Sequence, residues 1–354
     1  MKPRRLVVKI GTTSLTGPDG KPDRDRIKQI TDQVAALKDR GVRSVIVSSG
    51  AIAAGMQALA LKGRPTDMPT LQAAAAVGQR RLMDLYASLL EPYGLAVGQI
   101  LLTQDDIVQR RHYLNARHTI ERLLELGCVP IVNENDTVAT QEIRYGDNDR
   151  LAALVANLVG ADHLVMLSDV EGLFTSHPRE EGAELIGMVD EITPELFKSA
   201  TRTSPLGSGG MASKLEAARM ATFSGVAVVI ASASRPNVLV DLCEGKRAGT
   251  YFRPRPSRLQ AKKLWIAWAP QSRGRIVVDD GAARAITDGK KSLLAAGVNT
   301  VEGSFRAGDA VDVLRSDRQV VAKGLVSFDS ELLAQIAGTS GNREVIHRDQ
   351  LVLM

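Results

Sequence analysis

Six short apolar runs punctuate the first 250 residues of this chain, at 6–10, 44–47, 96–102, 128–132, 163–167 and 226–231. Longer stretches with helical periodicity lie between them, at 24–40, 71–90, 112–126 and 211–224. Strand and helix in alternation predict an α/β architecture, a mostly parallel sheet sandwiched by helices. In such sheets a ligand sits beyond the carboxyl ends of the strands. Five of the six runs break directly into polar or glycine-bearing segments: Gly11-Thr12-Thr13-Ser14, Ser48-Ser49-Gly50, Asn133 to Asp136, Ser168-Asp169 and Ser232-Ala233-Ser234. Polar chemistry is therefore expected along one rim.

The segment after the fourth run is the most telling. Residues 131–149 read I-V-N-E-N-D-T-V-A-T-Q-E-I-R-Y-G-D-N-D. A soluble protein has little structural use for so many short polar side chains at the end of a buried strand. They make sense as donors and acceptors around a small zwitterionic ligand, which points to an enzyme of small molecules. The second cluster, Asp147-Asn148-Asp149, opens a predicted helix.

At 354 residues the chain is long enough for two domains. No apolar run reaches the ~18 residues that a membrane helix needs, and the N-terminal apolar stretch is too short for a secretory signal. A cytoplasmic protein without a membrane association is expected. Cys128 and Cys243 have no metal-ligand spacing and read as buried, reduced thiols. The net charge of +5 is uneven, because residues 253–291 carry ten Lys and Arg against three Asp. After residue 252 the texture changes: Arg253-Pro254-Arg255-Pro256-Ser257 is broken by prolines, and short pieces separated by glycine turns follow, at 264–269, 275–278, 299–302, 310–314 and 320–326. The expected division is 1–255, a linker at 256–272, and a small β-rich domain at 273–354. Its basic charge would meet an anion or simply face water.

Several constellations carry chemistry. Lys9 lies inside an apolar run, where a charge is expensive unless it is met. Followed by Gly11-Thr12-Thr13-Ser14, it makes an anion seat; the competing reading is an edge-strand lysine facing water. Gly207-Ser208-Gly209-Gly210-Met211-Ala212-Ser213-Lys214 is a glycine-rich loop entering a helix, where exposed N–H groups and Lys214 favour phosphate. It fits neither the Walker pattern nor the dinucleotide fingerprint. Ser48 to Gly55 places small residues at a helix start, which suits either a ligand carboxylate or close packing. Ser168-Asp169 suits a ribose or purine edge, or an ordinary turn. The five histidines, at 112, 118, 163, 177 and 347, show no ligand pairing.

Together these motifs strongly resemble the amino acid kinase family. V-V-K-I-G-T at 7–12 is similar to its first phosphate loop, S-S-G-A-I-A-A-G-M at 48–56 to its substrate loop, and G-S-G-G-M-A-S-K at 207–214 to its second ATP loop. N-E-N-D-T-V-A-T at 133–140 and Y-G-D-N-D-R-L-A-A at 145–153 resemble segments of the branch that phosphorylates glutamate. The tail resembles a PUA domain. The resemblance implies ATP and Mg²⁺ as cofactors, the metal being held mainly by the ATP phosphates. Lys9 and Lys214 would neutralise the transferring group, and Asp149 would hold both lysines. Ser49, Asp136 and Asn148 would bind L-glutamate. Lys9, Ser168, Asp169 and the loop residues Ser208, Gly209, Gly210, Met211, Ala212, Ser213 and Lys214 would line the ATP site. It further implies L-glutamyl 5-phosphate as product, a first step toward proline, feedback inhibition by proline, and a homo-oligomer, dimer or tetramer. Coupling to a glutamyl-phosphate reductase and RNA binding by the tail are the remaining expectations. A glutamate side chain, with an ordinary pKa of ~4.3, is already an anionic nucleophile at neutral pH, so no general base is required.

Overall fold

A computed structural model describes residues 3–17, 20–103, 106–107, 109–138, 148–202, 210–256, 261–268 and 271–354. Of residues 199–202, 261, 262 and 264 it describes the backbone alone. The chain divides into two units, Met1–Arg258 and Leu259–Met354.

All six apolar runs are strands of one sheet in the first unit: β1 (Arg5–Ile10), β2 (Arg43–Val47), β3 (Val97–Leu102), β4 (Val129–Glu134), β5 (His163–Ser168) and β7 (Ala227–Ser232). Two short strands, β6 (Met188–Val189) and β8 (Thr250–Phe252), complete the order β3-β4-β2-β1-β5-β7-β8-β6. Pairing is parallel from β3 through β7; β8 pairs antiparallel with β7, and β6 runs parallel to β8. The carboxyl ends of the six long strands therefore share one rim, as expected of an α/β sheet. The two short strands carry no apolar run that periodicity could register.

Helices cover the sheet. Arg24–Asp39 starts at Asp23, whose carboxylate accepts from the N–H groups of Asp25 and Arg26. Met68–Leu90 starts the same way at Asp67, with Pro69 in its first turn, where a missing N–H costs nothing. Leu6, Ile10, Ile27, Ile30, Leu82 and Tyr86 meet in the core between these helices and the sheet. The helix Ala51–Ala58 packs against Met68–Leu90 at two glycines. A Cβ on Gly55 would lie 1.7 Å from the Ala74 carbonyl oxygen, and one on Gly78 1.7 Å from that of Ala51. The small residues from 50 to 56 thus serve helix packing as well as the rim.

In the second unit, β9 (Gly274–Val278), β11 (Val298–Gly303), β12 (Ala310–Leu314), β13 (Val320–Leu325) and β15 (Leu351–Leu353) form a sheet in the order β11-β9-β12-β13-β15. A second ribbon pairs β10 (Leu293–Leu294) with β14 (Glu344–Ile346). Ile276, Val278, Val311, Val313, Leu333 and Ile346 fill its own core. One expected β piece is corrected: residues 264–268 belong to a helix, Ala261–Trp268, inside the stretch read as linker. A short apolar run cannot distinguish strand from helix by itself, and Ala, Lys and Leu at its start favour helix. Cys243 is buried, whereas Cys128 is only half-buried. Among the described residues, no helix is long and apolar enough to cross a membrane.

The glycine contact makes a direct prediction. Gly78→Ala should lower stability by about 2–3 kcal/mol through overpacking, read from urea denaturation. Gly63→Ala, where an added Cβ meets nothing within 4 Å, should stay within about 0.5 kcal/mol. Equal midpoints for the two variants would contradict the close crossing.

Candidate active site

Lys9 sits on β1, between β2 and β5, opposite Val47 and Met166. It is therefore on a central strand, not an edge, and only 2% of it is exposed. Its ammonium is met by Asp149, with Nζ 2.5 Å from Oδ1. Asp149 lies in the first turn of the helix Asn148–Leu158, nearly all of which is buried. A helix N-terminus favours a carboxylate there. The other oxygen, Oδ2, accepts the Ser213 hydroxyl at 2.6 Å and lies 3.4 Å from Nζ of Lys214. Ser213 and Lys214 belong to the first turns of the helix Met211–Phe223, which begins at Gly210. Two lysines about 200 positions apart in the chain thus bracket one carboxylate at the rim.

Burial would raise the Asp149 carboxyl, but Lys9 and Lys214, with the hydrogen bonds from Lys9 and Ser213, hold it below the usual carboxylate range. Burial lowers Lys9, and Lys214 adds to that, against the pull of Asp149.

A second, uncharged network adjoins the first through Asn148. Its Nδ2 lies 2.6 Å from the Ser48 carbonyl, 3.1 Å from the Ser49 hydroxyl and 2.8 Å from Asn133 Oδ1. Gly50, which follows, has φ +91°, a left-handed conformation that turns the chain from β2 into the helix Ala51–Ala58. Ser48 itself shares a hydrogen bond of 2.9 Å with the buried Tyr86 hydroxyl.

The structure thus brings together Lys9, Asp149, Ser213 and Lys214 in one cluster, and Ser49 and Asn148 in its neighbour. Asp136 stands apart from both: it is half-buried in the turn after β4, and Arg64 is the cation acting on it. Ser168 ends β5 and donates to Asp169 at 3.0 Å, with Asp169 exposed. Gly210, Met211 and Ala212 lead into the Lys214 helix. Ser208 and Gly209 lie outside the described residues. Asn133, from the polar segment expected to surround a ligand, joins the network, and so do two residues given no role by the sequence: Tyr86, and Gln79, whose Oε1 accepts from Asn133 Nδ2 at 2.8 Å. The signal was present, since Gln79 falls on the stripe of Leu71, Ala75, Leu82 and Tyr86 that a helical period buries.

The sequence profile of the amino acid kinase family matches residues 4–232, and that of the PUA domain matches residues 274–346. A curated protein of Myxococcus xanthus named glutamate 5-kinase is 47% identical over 99% of this chain and 96% of its own length. One of Salinispora arenicola with the same name is 48% identical, over 99% and 98%. Among solved structures, a carbamate kinase of Giardia lamblia bound to AMP-PNP superposes with TM-score 0.53 at 18% identity, covering 71% of this chain and 98% of that one. That likeness concerns the fold.

Asp149→Asn tests the charged cluster. It leaves two buried ammonium groups without their carboxylate and should cost about 3–5 kcal/mol at pH 7. The folded-state pKa of Asp149 is depressed, so its contribution is complete above the unfolded value of ~3.9 and disappears as the pH falls through the lower folded value. Urea titrations at pH 7 and pH 3 should show the wild-type advantage narrowing in acid. A pH 7 difference below about 1 kcal/mol, the size of an exposed pair, would contradict the arrangement.

Proposed function

The chain belongs to the amino acid kinase family, and from that premise we propose that it transfers the γ-phosphoryl group of ATP to the side-chain carboxylate of L-glutamate. The products are L-glutamyl 5-phosphate and ADP. One observation carries this reading: Lys9 and Lys214 converge on Asp149 at the carboxyl-end rim of a parallel sheet. Phosphoryl transfer asks the protein for positioning and for neutralisation of charge on the moving group, with little covalent chemistry of its own. Two ammonium groups reaching one point from separate elements supply the second. The start of Met211–Phe223 adds N–H groups pointing toward an anion. Asp149 keeps the lysines from repelling one another out of place.

Substrate would lie on the Ser49 and Asn148 side, with Asp136 at its outer edge. The γ-carboxylate attacks as the ionised nucleophile it already is, so no residue has to remove a proton. The residues fit a Mg²⁺ carried by the nucleotide: Asp149 is already occupied by both lysines, and the metal prefers phosphate oxygens and water. When bound, it would screen the phosphate charge. Ser168 and Asp169, at the end of the strand next to β1, would face the nucleoside. Proline, another small zwitterion, would compete for the glutamate side and act as a feedback inhibitor. The curated relatives' names support this substrate.

Lys9→Ala and Lys214→Ala should each reduce kcat by at least ~10²-fold, the scale of losing a key electrostatic donor. The assay is ATP-dependent hydroxamate formation from glutamate and hydroxylamine, which reports an acyl phosphate; near-wild-type turnover in either variant refutes the assignment.

A separate test concerns Asp136. Burial pushes its carboxyl up to about 6, with Arg64 pulling the other way. The charged form exists above that value, so the glutamate KM should climb roughly tenfold per pH unit as the pH falls below it. The ATP KM should not follow. Asp136→Ala should raise the glutamate KM and abolish the inflection; an unchanged KM removes Asp136 from the substrate site.

A further inference from the structure

We propose that Gln79 is a positioning residue of the substrate site: by anchoring Asn133, it holds in place the Asn148 carboxamide whose oxygen meets the ligand, and so sharpens the site's selection of an α-ammonium group. This rests on the glutamate reading above.

The orientation of each amide follows from backbone groups that cannot change role. The Glu134 N–H can only donate, and it lies 2.9 Å from Asn133, so the atom there is Oδ1. The other end of Asn133 is then Nδ2, and its partner 2.8 Å away must be an acceptor, which Gln79 Oε1 provides. At the far end of the relay the Ser48 carbonyl can only accept. The Asn148 atom 2.6 Å from it is therefore Nδ2. The same nitrogen is 2.8 Å from Asn133 Oδ1 and 3.1 Å from the Ser49 hydroxyl oxygen. A carboxamide nitrogen has only two hydrogens, and three protein oxygens surround this one. What Asn148 can offer a ligand is Oδ1, an acceptor. An acceptor attracts an ammonium group and disfavours a carboxylate.

Gln79 is well placed to hold this arrangement. It is 8% exposed, and it follows Gly78, whose contact with the Ala51 carbonyl locks Met68–Leu90 against the helix that starts after Ser49-Gly50. Its buried Nε2 has no hydrogen-bond partner among the described residues. A buried unpaired N–H is unfavourable, and Met or Leu on this stripe would avoid it. The acceptor oxygen that Gln79 gives Asn133 accounts for a glutamine at this position.

Removing that oxygen leaves Asn133 Nδ2 without its acceptor, so that the Glu134 N–H alone anchors Asn133 and the Asn148 carboxamide is held less firmly against the ligand's ammonium group. Glutarate is the probe, since it has glutamate's two carboxylates but no ammonium. The readout is the ratio of the glutarate Ki to the glutamate KM in the hydroxamate assay, which does not depend on how much enzyme is folded. Gln79→Met should lower the ratio at least about tenfold, mainly through the glutamate KM and not through kcat, with the ATP KM within about twofold. Gln79→Glu keeps an acceptor toward Asn133 and should hold the ratio within about threefold of wild type. A wild-type ratio in Gln79→Met overturns the proposal, as does a Gln79→Glu variant that discriminates as poorly as Gln79→Met. No hydroxamate from glutamate with the wild-type protein overturns the substrate reading itself, and this inference with it.

Discussion

The contact of Lys9 and Lys214 with Asp149 is the constraint around which the first unit is organised. Burying three charged groups is expensive, and the cost is offset only when their geometry is fixed and their remaining hydrogen bonds are met. Each partner comes from a different element: a central strand, the first turn of a nearly wholly buried helix, and the start of another helix. Helix dipoles make the arrangement uneven. Asp149 at an N-terminus is favoured by its helix, whereas Lys214, also near an N-terminus, is disfavoured by its own. The lysine therefore depends on Asp149 when no ligand is present. The same two helix starts and two ammonium groups favour an incoming anion. A pocket with this electrostatic character holds its shape through the carboxylate that would otherwise compete with a phosphate.

Much of this was legible in the sequence, for reasons that can be stated. Long buried parallel strands leave continuous apolar runs, so all six were visible, and the polar segments after them marked the rim. Lys9 could be read as edge or centre, because a sequence does not give strand order; the place of β1 between β2 and β5 decides it. The two- and three-residue strands β6 and β8 left no pattern. Residues 261–268 misled because a short apolar run looks alike in either secondary structure. Gln79 and Tyr86 were hidden differently. Each is a single polar side chain on an otherwise apolar stripe, and its meaning appears only when the partner, Asn133 or Ser48, is placed opposite it across the fold. Long-range pairing of this kind has no local signature.

The second unit follows a separate logic. It is a PUA domain with its own core and sheet. Residues 259–354 carry 13 Lys and Arg against 11 Asp and Glu, so the basic excess at 253–291 is local to that stretch and the unit as a whole is close to neutral. A local basic stretch attracts polyanions in general, without specifying one.

Within the first unit, charge and neutrality are divided between adjacent residues. Asp149 belongs to an ionic cluster; Asn148, one position earlier, belongs to a relay of amides and hydroxyls with no formal charge from Gln79 through Asn133 to Ser49. On the proposed function the division has a physical reason. The reacting carboxylate must remain ionised and must approach a phosphate that is itself negative. Positive charge is needed where the phosphoryl group moves. A fixed anion beside the nucleophile would oppose that approach, and a fixed cation would hold the carboxylate in its ground state as firmly as in the transition state, which accelerates nothing. Neutral amides, turned by backbone groups that cannot reverse, orient a zwitterion without either effect. On the proposed function, the alternation of Asn148 and Asp149 on one helical turn is the point at which recognition of substrate would end and stabilisation of transfer begin.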